Sequence, residues 1–105
     1  MPLNTLSFSI ENAAPSKAIE TPFHLGVVGS GDLEMILEPK DQGGAVSFQI
    51  LSPVSGFDDL WKRVATSFVA ESGLGNTHIE INDNNATPAV VMLRLRQALI
   101  EAGVK

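Results

Sequence analysis

The chain has 105 residues, 44% of them hydrophobic and 18% charged, enough for one ordinary core, so residues 1–105 read as a single domain. With no cysteine, a disulfide framework, a thiolate zinc ligand and a thiol nucleophile are excluded; a formal charge of −5 opposes binding to nucleic acid or an anionic membrane surface. No stretch reaches the roughly 18 apolar residues of a membrane helix, and residues 1–5 lack the basic start and following apolar run of a signal peptide, so a cytoplasmic location is expected.

In chain order, Leu6, Phe8 and Ile10 alternate with Thr5, Ser7 and Ser9, the period of a strand with one buried face. Residues 11–22, with Asn12, Pro15, Ser16 and Pro22, read as a loop within the domain. Phe23, Leu25 and Val27 predict a second strand. Leu33, Met35 and Leu37, with Glu34 and Glu38 opposite, predict a third, and Val46, Phe48 and Ile50, with Ser47 and Gln49 opposite, a fourth. The breaks at Gly29-Ser30-Gly31-Asp32 and Pro39-Lys40-Asp41-Gln42-Gly43-Gly44 are turn-forming, and predict antiparallel hairpins joining the second strand to the third and the third to the fourth.

At Ser55 the period changes. Ser55 is the expected N-cap, with Asp58 three positions on, and Phe57, Leu60, Trp61, Val64, Ala65, Phe68 and Val69 form a helical stripe assigned to the core; Gly73 supplies the stop. Ile79 and Ile81 alternate with His78, Glu80 and Asn82 in a fifth strand, and Asn82-Asp83-Asn84-Asn85 is read as a turn. A calcium loop starting at Asp83 would put Pro88 at its glycine position and Arg94 at its glutamate position. Thr87 and Pro88 open a second helix that runs to about Gly103. The expected fold is therefore α+β, a two-layer sandwich in ββββαβα order, with a mainly antiparallel sheet of about five strands and both helices packed on one face. Strand order is left open.

The glycine-rich run Gly26-Val27-Val28-Gly29-Ser30-Gly31 leads into a strand rather than a helix and lacks the lysine of a phosphate-binding loop. A nucleophile elbow would need glycine where Val28 and Asp32 stand, so Ser30 is not a hydrolase serine by motif. Pairing Ser30 with His24 or His78 would still leave a hydrolase without an oxyanion loop. On the residues alone, Gly29-Ser30-Gly31-Asp32 is a tight turn whose hydroxyl another enzyme can reach: a modification site. His24 and His78 have no second ligand at metal-binding spacing, so no metal is expected and no role is assigned to either. Glu34 and Glu38 read as the wet face of a strand. Arg94 and Arg96, about 200° apart around a helix, cannot form one anion fork by themselves.

Through Leu25-Gly26-Val27-Val28-Gly29-Ser30-Gly31-Asp32-Leu33-Glu34 and Leu37-Glu38-Pro39, then Ala86-Thr87-Pro88-Ala89-Val90-Val91 and Leu93-Arg94-Leu95, the chain resembles the acyl carrier (delta) subunit family of bacterial malonate decarboxylase. The shorter Ser30-Gly31-Asp32 match is shared with the citrate lyase acyl carrier (gamma) subunit. The resemblance implies a non-catalytic carrier whose Ser30 holds 2′-(5″-phosphoribosyl)-3′-dephospho-coenzyme A through a phosphodiester. Acetyl and malonyl thioesters would ride on the thiol of that group. Gly29 and Gly31 would shape the turn and admit the transferase, and Asp32 would serve recognition or turn geometry. Implied partners are the acyl transferase (alpha) and decarboxylase (beta, gamma) subunits, a malonyl-CoA:carrier transferase and a phosphoribosyl-dephospho-CoA transferase. The competing readings are an assembly subunit whose Ser30 is never modified, and a citrate lyase type carrier.

Overall fold

Alternating apolar side chains draw five segments into one sheet, and two helices cover one of its faces. The structure, a computed structural model, describes residues 4–26, 32–53 and 56–103. Along the chain come β1 (Asn4–Ile10), β2 (Phe23–Leu25), β3 (Asp32–Pro39), β4 (Val46–Ser52), α1 (Asp58–Ser72), β5 (Thr77–Asn84) and α2 (Pro88–Glu101), the order that the periodicity predicts. The sheet order is β1-β4-β5-β3-β2. All neighbouring pairs are antiparallel except β4 and β5, which α1 joins as a parallel crossover.

The covered face is built from Leu33, Met35 and Leu37 of β3, Val46, Phe48 and Ile50 of β4, and Ile79 and Ile81 of β5, all at most 2% exposed. Ala65, Phe68 and Val69 of α1 and Val91, Leu95, Ala98 and Leu99 of α2 close the core over them. Phe8 stacks on its cross-strand partner Phe48 with ring centroids 5.3 Å apart. An aromatic pair of this kind adds about 0.5–1.5 kcal/mol beyond its buried area. The other face of the sheet carries Ser7, Ser9, Ser47, Gln49, His78, Glu80 and Glu34, the polar half of each alternation.

The predicted hairpin between β3 and β4 does not form: β5 lies between them. Two strands with fully apolar inner faces do not have to pair with each other, and the crossover returns β5 into the gap, where it gains hydrogen-bonding neighbours on both edges. Pro39 of β3 and Val46 of β4 thus both oppose Thr77, and the chain between them straps over the start of β5. Asn76 organises the strap. Its side-chain Oδ1 accepts from the Gln42 N–H (3.0 Å) and the Gly44 N–H (2.8 Å), and its carbonyl accepts from the Lys40 N–H (2.8 Å). Its φ of 52° lies in the left-handed region that asparagine tolerates better than most residues.

Residues 11–22 are bolted to the same end of the sheet. The Ser16 and Lys17 N–H groups donate to the Gly73 carbonyl, the Asn12 amide donates to the Leu74 carbonyl at 2.9 Å, and Ile19 is buried. A Cβ on Gly75 would collide with Pro15 and come within 2.7 Å of the Gly44 carbonyl oxygen, so this close approach requires glycine.

Two helix-related expectations need correction. α1 begins at Asp58 with Phe57 at the N-cap and no side-chain cap; Ser55, the expected cap, lies outside the described residues. Its stop at Gly73 is as predicted, in the left-handed conformation. The predicted stripe is fully buried only in its second half: Leu60, Trp61 and Val64 are half-buried, with Trp61 and Val64 packed against the core, and Phe57 is 47% exposed. Asn82, Asp83 and Asn84 complete β5 rather than forming a turn, and the chain turns at Asn85, with φ 65°.

Candidate functional site

Ser30, Gly29 and Gly31 lie outside the described residues, as does most of the predicted tight turn, so the site is built from what holds its two ends. On the entering side β2 pairs with β3 through Phe23↔Leu37, His24↔Ile36 and Leu25↔Met35. Ser30 is the chain midpoint of that register, equally distant in sequence from Leu25 and Met35. On the leaving side Asp32 opens β3 opposite Asn84, followed by Leu33↔Asp83 and Glu34↔Asn82. Leu25, Leu33 and Met35 are buried, so the base of the hairpin is fixed by core packing as well as by the ladder.

On the open face of the sheet a polar tie crosses this base. The Glu34 carboxylate accepts from the Asn82 amide at 3.0 Å and lies 3.2 Å from His24 Nε2. The Asn82 hydrogen bond first, and the His24 contact second, hold the Glu34 carboxyl below the usual carboxylate range. His24 therefore ties β2 to β3. Register is what brings these three residues together, and strand order, which the sequence leaves open, decides that β5 lies beside β3.

His78 belongs to a different neighbourhood. Its Nδ1 is 2.7 Å from Ser47 Oγ and its Nε2 is 3.4 Å from Glu80. About 20 Å of strand, at roughly 3.3 Å per residue, separates it from Asn84 opposite Asp32. Serine, histidine and carboxylate thus meet on the open face, but Ser47 lies on a strand flanked on both sides, whose backbone N–H groups serve the ladders. Those N–H groups are therefore not free to form an oxyanion hole beside Ser47. Among the described residues no three His, Asp or Glu side chains are placed to hold a metal ion. Arg94 and Arg96 diverge as expected: Arg94 donates to Gln97 at 2.8 Å, and Arg96 forks onto Glu71 of α1 at 3.0 and 3.2 Å.

No motif signals the cleft at the end of the sheet where β3 begins. Between the N-terminal ends of α1 and α2 there is a space of about 310 Å³ lined by Phe57, Leu60, Trp61, Val64, Pro88 and Val91, with Ser52, Asp83 and Asn85 at its polar margin. Asp83 is held in place by the Ser52 hydroxyl (2.8 Å) and the Ala86 N–H (2.9 Å), and Thr87 caps α2 through the Val90 N–H. Trp61 lines this cleft while also packing against the core.

Residues 20–102 match the family model of the malonate decarboxylase delta subunit (MdcD). The chain belongs to this family. The malonate decarboxylase acyl carrier protein of Malonomonas rubra is 49% identical over 95% of this chain and 89% of its own length. That of Pseudomonas aeruginosa (strain UCBPP-PA14) is 43% identical over 96% of this chain and 98% of its own. A chain in the crystal structure of a Pseudomonas malonate decarboxylase hetero-tetramer in complex with malonate superposes with a TM-score of 0.80 at 36% identity, covering 95% of this chain and 99% of that one. The family resemblance drawn from the Ser30 region and the 86–95 segment is thereby shown, and the citrate lyase alternative gives way to it. No helix among the described residues is long and apolar enough to cross a membrane.

Proposed function

We propose that this chain is the acyl carrier of a malonate decarboxylase, and that Ser30 carries 2′-(5″-phosphoribosyl)-3′-dephospho-coenzyme A in phosphodiester linkage. The observation that carries the reading is the register of β2 on β3: it makes Ser30 the midpoint of a connection whose two ends are clamped by buried side chains at one end of the sheet. The residues fit the group. A phosphodiester needs a hydroxyl, which Ser30 supplies between two glycines, and a chain without cysteine has no thiol of its own to carry an acyl group. The bound group would supply that thiol, on which acetyl and malonyl are held as activated thioesters. The protein's part is to fix the attachment point on a rigid sheet and to raise the local concentration of the tethered acyl group at successive active sites.

Gly29 and Gly31 would leave the hydroxyl open to a dedicated phosphoribosyl-dephospho-CoA transferase, and Asp32, anchored in the ladder, would stand close to the point of attack. The partners of this reading are the acyl transferase (alpha) and decarboxylase (beta, gamma) subunits, together with the malonyl-CoA:carrier transferase, all in the cytoplasm. The relatives' shared carrier description and the hetero-tetrameric neighbour support it. The test is Ser30→Ala incubated with the modification enzymes. It should fold as the parent does and gain no adduct by mass, and an adduct on the variant chain would sink the assignment.

A further inference from the structure

We propose that the cleft between the N-terminal ends of α1 and α2 binds the neutral, acetylated thioester end of a pantetheine chain, supplied in cis by the arm on Ser30, and turns the malonylated end away. The inference rests on the carrier reading above but concerns residues far along the chain from Ser30. Four observations lead to it.

The first is position. Two peptide units, at most about 7 Å of chain, separate Ser30 from Asp32. Asp32 pairs directly with Asn84, and the next residue, Asn85, lines the cleft. Attachment point and cleft therefore share one end of the sheet, within reach of an arm made of a nucleotide and pantetheine.

Size and lining come next. A space of about 310 Å³ lies at the lower end for small-molecule sites, which suits a short acyl thioester rather than a large ligand. Its walls are the apolar side chains of α1 and α2, with the indole of Trp61 among them, and Phe57 stands at its edge 47% exposed. A helix whose apolar stripe is complete in its second half and left half-open in its first has a surface kept for something other than the core.

Charge then discriminates between acyl groups. Asp83 is part of the lining, and the first turn of α1, beginning beside Phe57, carries Asp58 and Asp59. Lys62 and Arg63 follow Asp58 and Asp59 one turn along α1, and the two helix N-termini, at roughly half a positive charge each, offset about the one carboxylate of the lining, so the cleft is close to neutral. A neutral acetyl thioester meets apolar walls, whereas the free carboxylate of a malonyl group would give up its water against them with no lysine or arginine in the lining to pair with. Holding acetyl while releasing malonyl would protect the resting thioester from water and present the malonyl form to a decarboxylating partner.

The test uses the unmodified chain and free S-acetylpantetheine, with S-malonylpantetheine as the charged comparison. Trp61 is the chain's single tryptophan, so its emission reports the cleft directly, and amide shifts at Trp61, Ala86 and Val91 locate the site. The acetyl compound should give a saturable response at these residues, and the malonyl compound should bind at least about five-fold more weakly. Phe57→Ser and Phe57→Asp should both fold, since serine and aspartate are good N-caps, and both should weaken the acetyl response several-fold. The proposal is overturned by equal binding of both compounds, by shifts confined to the open sheet face, or by Phe57 variants that bind as the parent does. The titration does not depend on Ser30 being loaded. Its failure on a chain that does acquire the adduct refutes the cleft alone, and binding on a chain that is never loaded refutes the carrier reading alone.

Discussion

Replacing Asn76 by alanine should destabilise the protein by about 3 kcal/mol. Two backbone donors lose their acceptor: the Gln42 N–H, half-buried, and the Gly44 N–H, on a buried residue. An ordinary hydrogen bond contributes about 1 kcal/mol, and a donor stranded away from water costs about 1–3 kcal/mol. Alanine must also hold the φ of 52°, where its Cβ adds about 1 kcal/mol that asparagine largely avoids. The contributions can be separated with two companions. Asn76→Gly loses both hydrogen bonds but relaxes the backbone, and should be more stable than Asn76→Ala by about 1 kcal/mol. Asn76→Asp keeps a side-chain acceptor and should stay within about 1 kcal/mol of the parent. Urea unfolding followed by Trp61 fluorescence gives all three values. Alanine costing under 1 kcal/mol, or glycine no better than alanine, would refute the account of the strap over β5.

Further expectations follow from the same reasoning. Gly75→Ala should cost about 2 kcal/mol by pushing Pro15 and the 40–45 strap apart, read as a lowered midpoint in the same urea titration. In a carboxyl-detected NMR titration Glu34 should ionise below the usual range, and Asn82→Ala should raise its midpoint more than His24→Ala does. Because the folded state favours the Glu34 carboxylate, its contribution is present above the ordinary carboxylate value and lost as pH falls through the lowered one. Glu34→Gln should therefore flatten the acid limb of the stability profile, and an unchanged acid limb would count against the tie to Asn82 and His24.

The elements were legible in the sequence because each carries its own period. Alternation at Leu33, Met35 and Leu37 and at Val46, Phe48 and Ile50, and the Thr87-Pro88 start of α2, are local signals, and the structure agrees with them. Neighbour relations were not local. Nothing in β3 or β4 says that β5, reached only after a helix, will lie between them; the parallel pairing is settled by where the crossover lands. The Asn76 strap, the Glu34 tie and the Ser47 to His78 contact all depend on that order, so they were out of reach.

The helical stripe of α1 was legible as core-facing, but its depth of burial was not. Period alone cannot distinguish apolar residues fully enclosed in a core from those at its margin that also line a cleft, so Leu60, Trp61 and Val64 looked the same as Phe68. From glycine chemistry the Ser30 motif reads as an exposed, modifiable turn, and Gly29, Ser30 and Gly31 lie outside the described residues. The described strands on either side of it are held by the pairing of β2 with β3 and of β3 with β5.

The most direct test of the central claim is intact mass with peptide mapping on protein taken from cells grown on malonate with their own modification enzymes. The carrier account predicts a phosphoribosyl-dephospho-coenzyme A adduct on the peptide containing Ser30. An unmodified peptide, from cells whose transferase is shown to be active on another substrate, would contradict it.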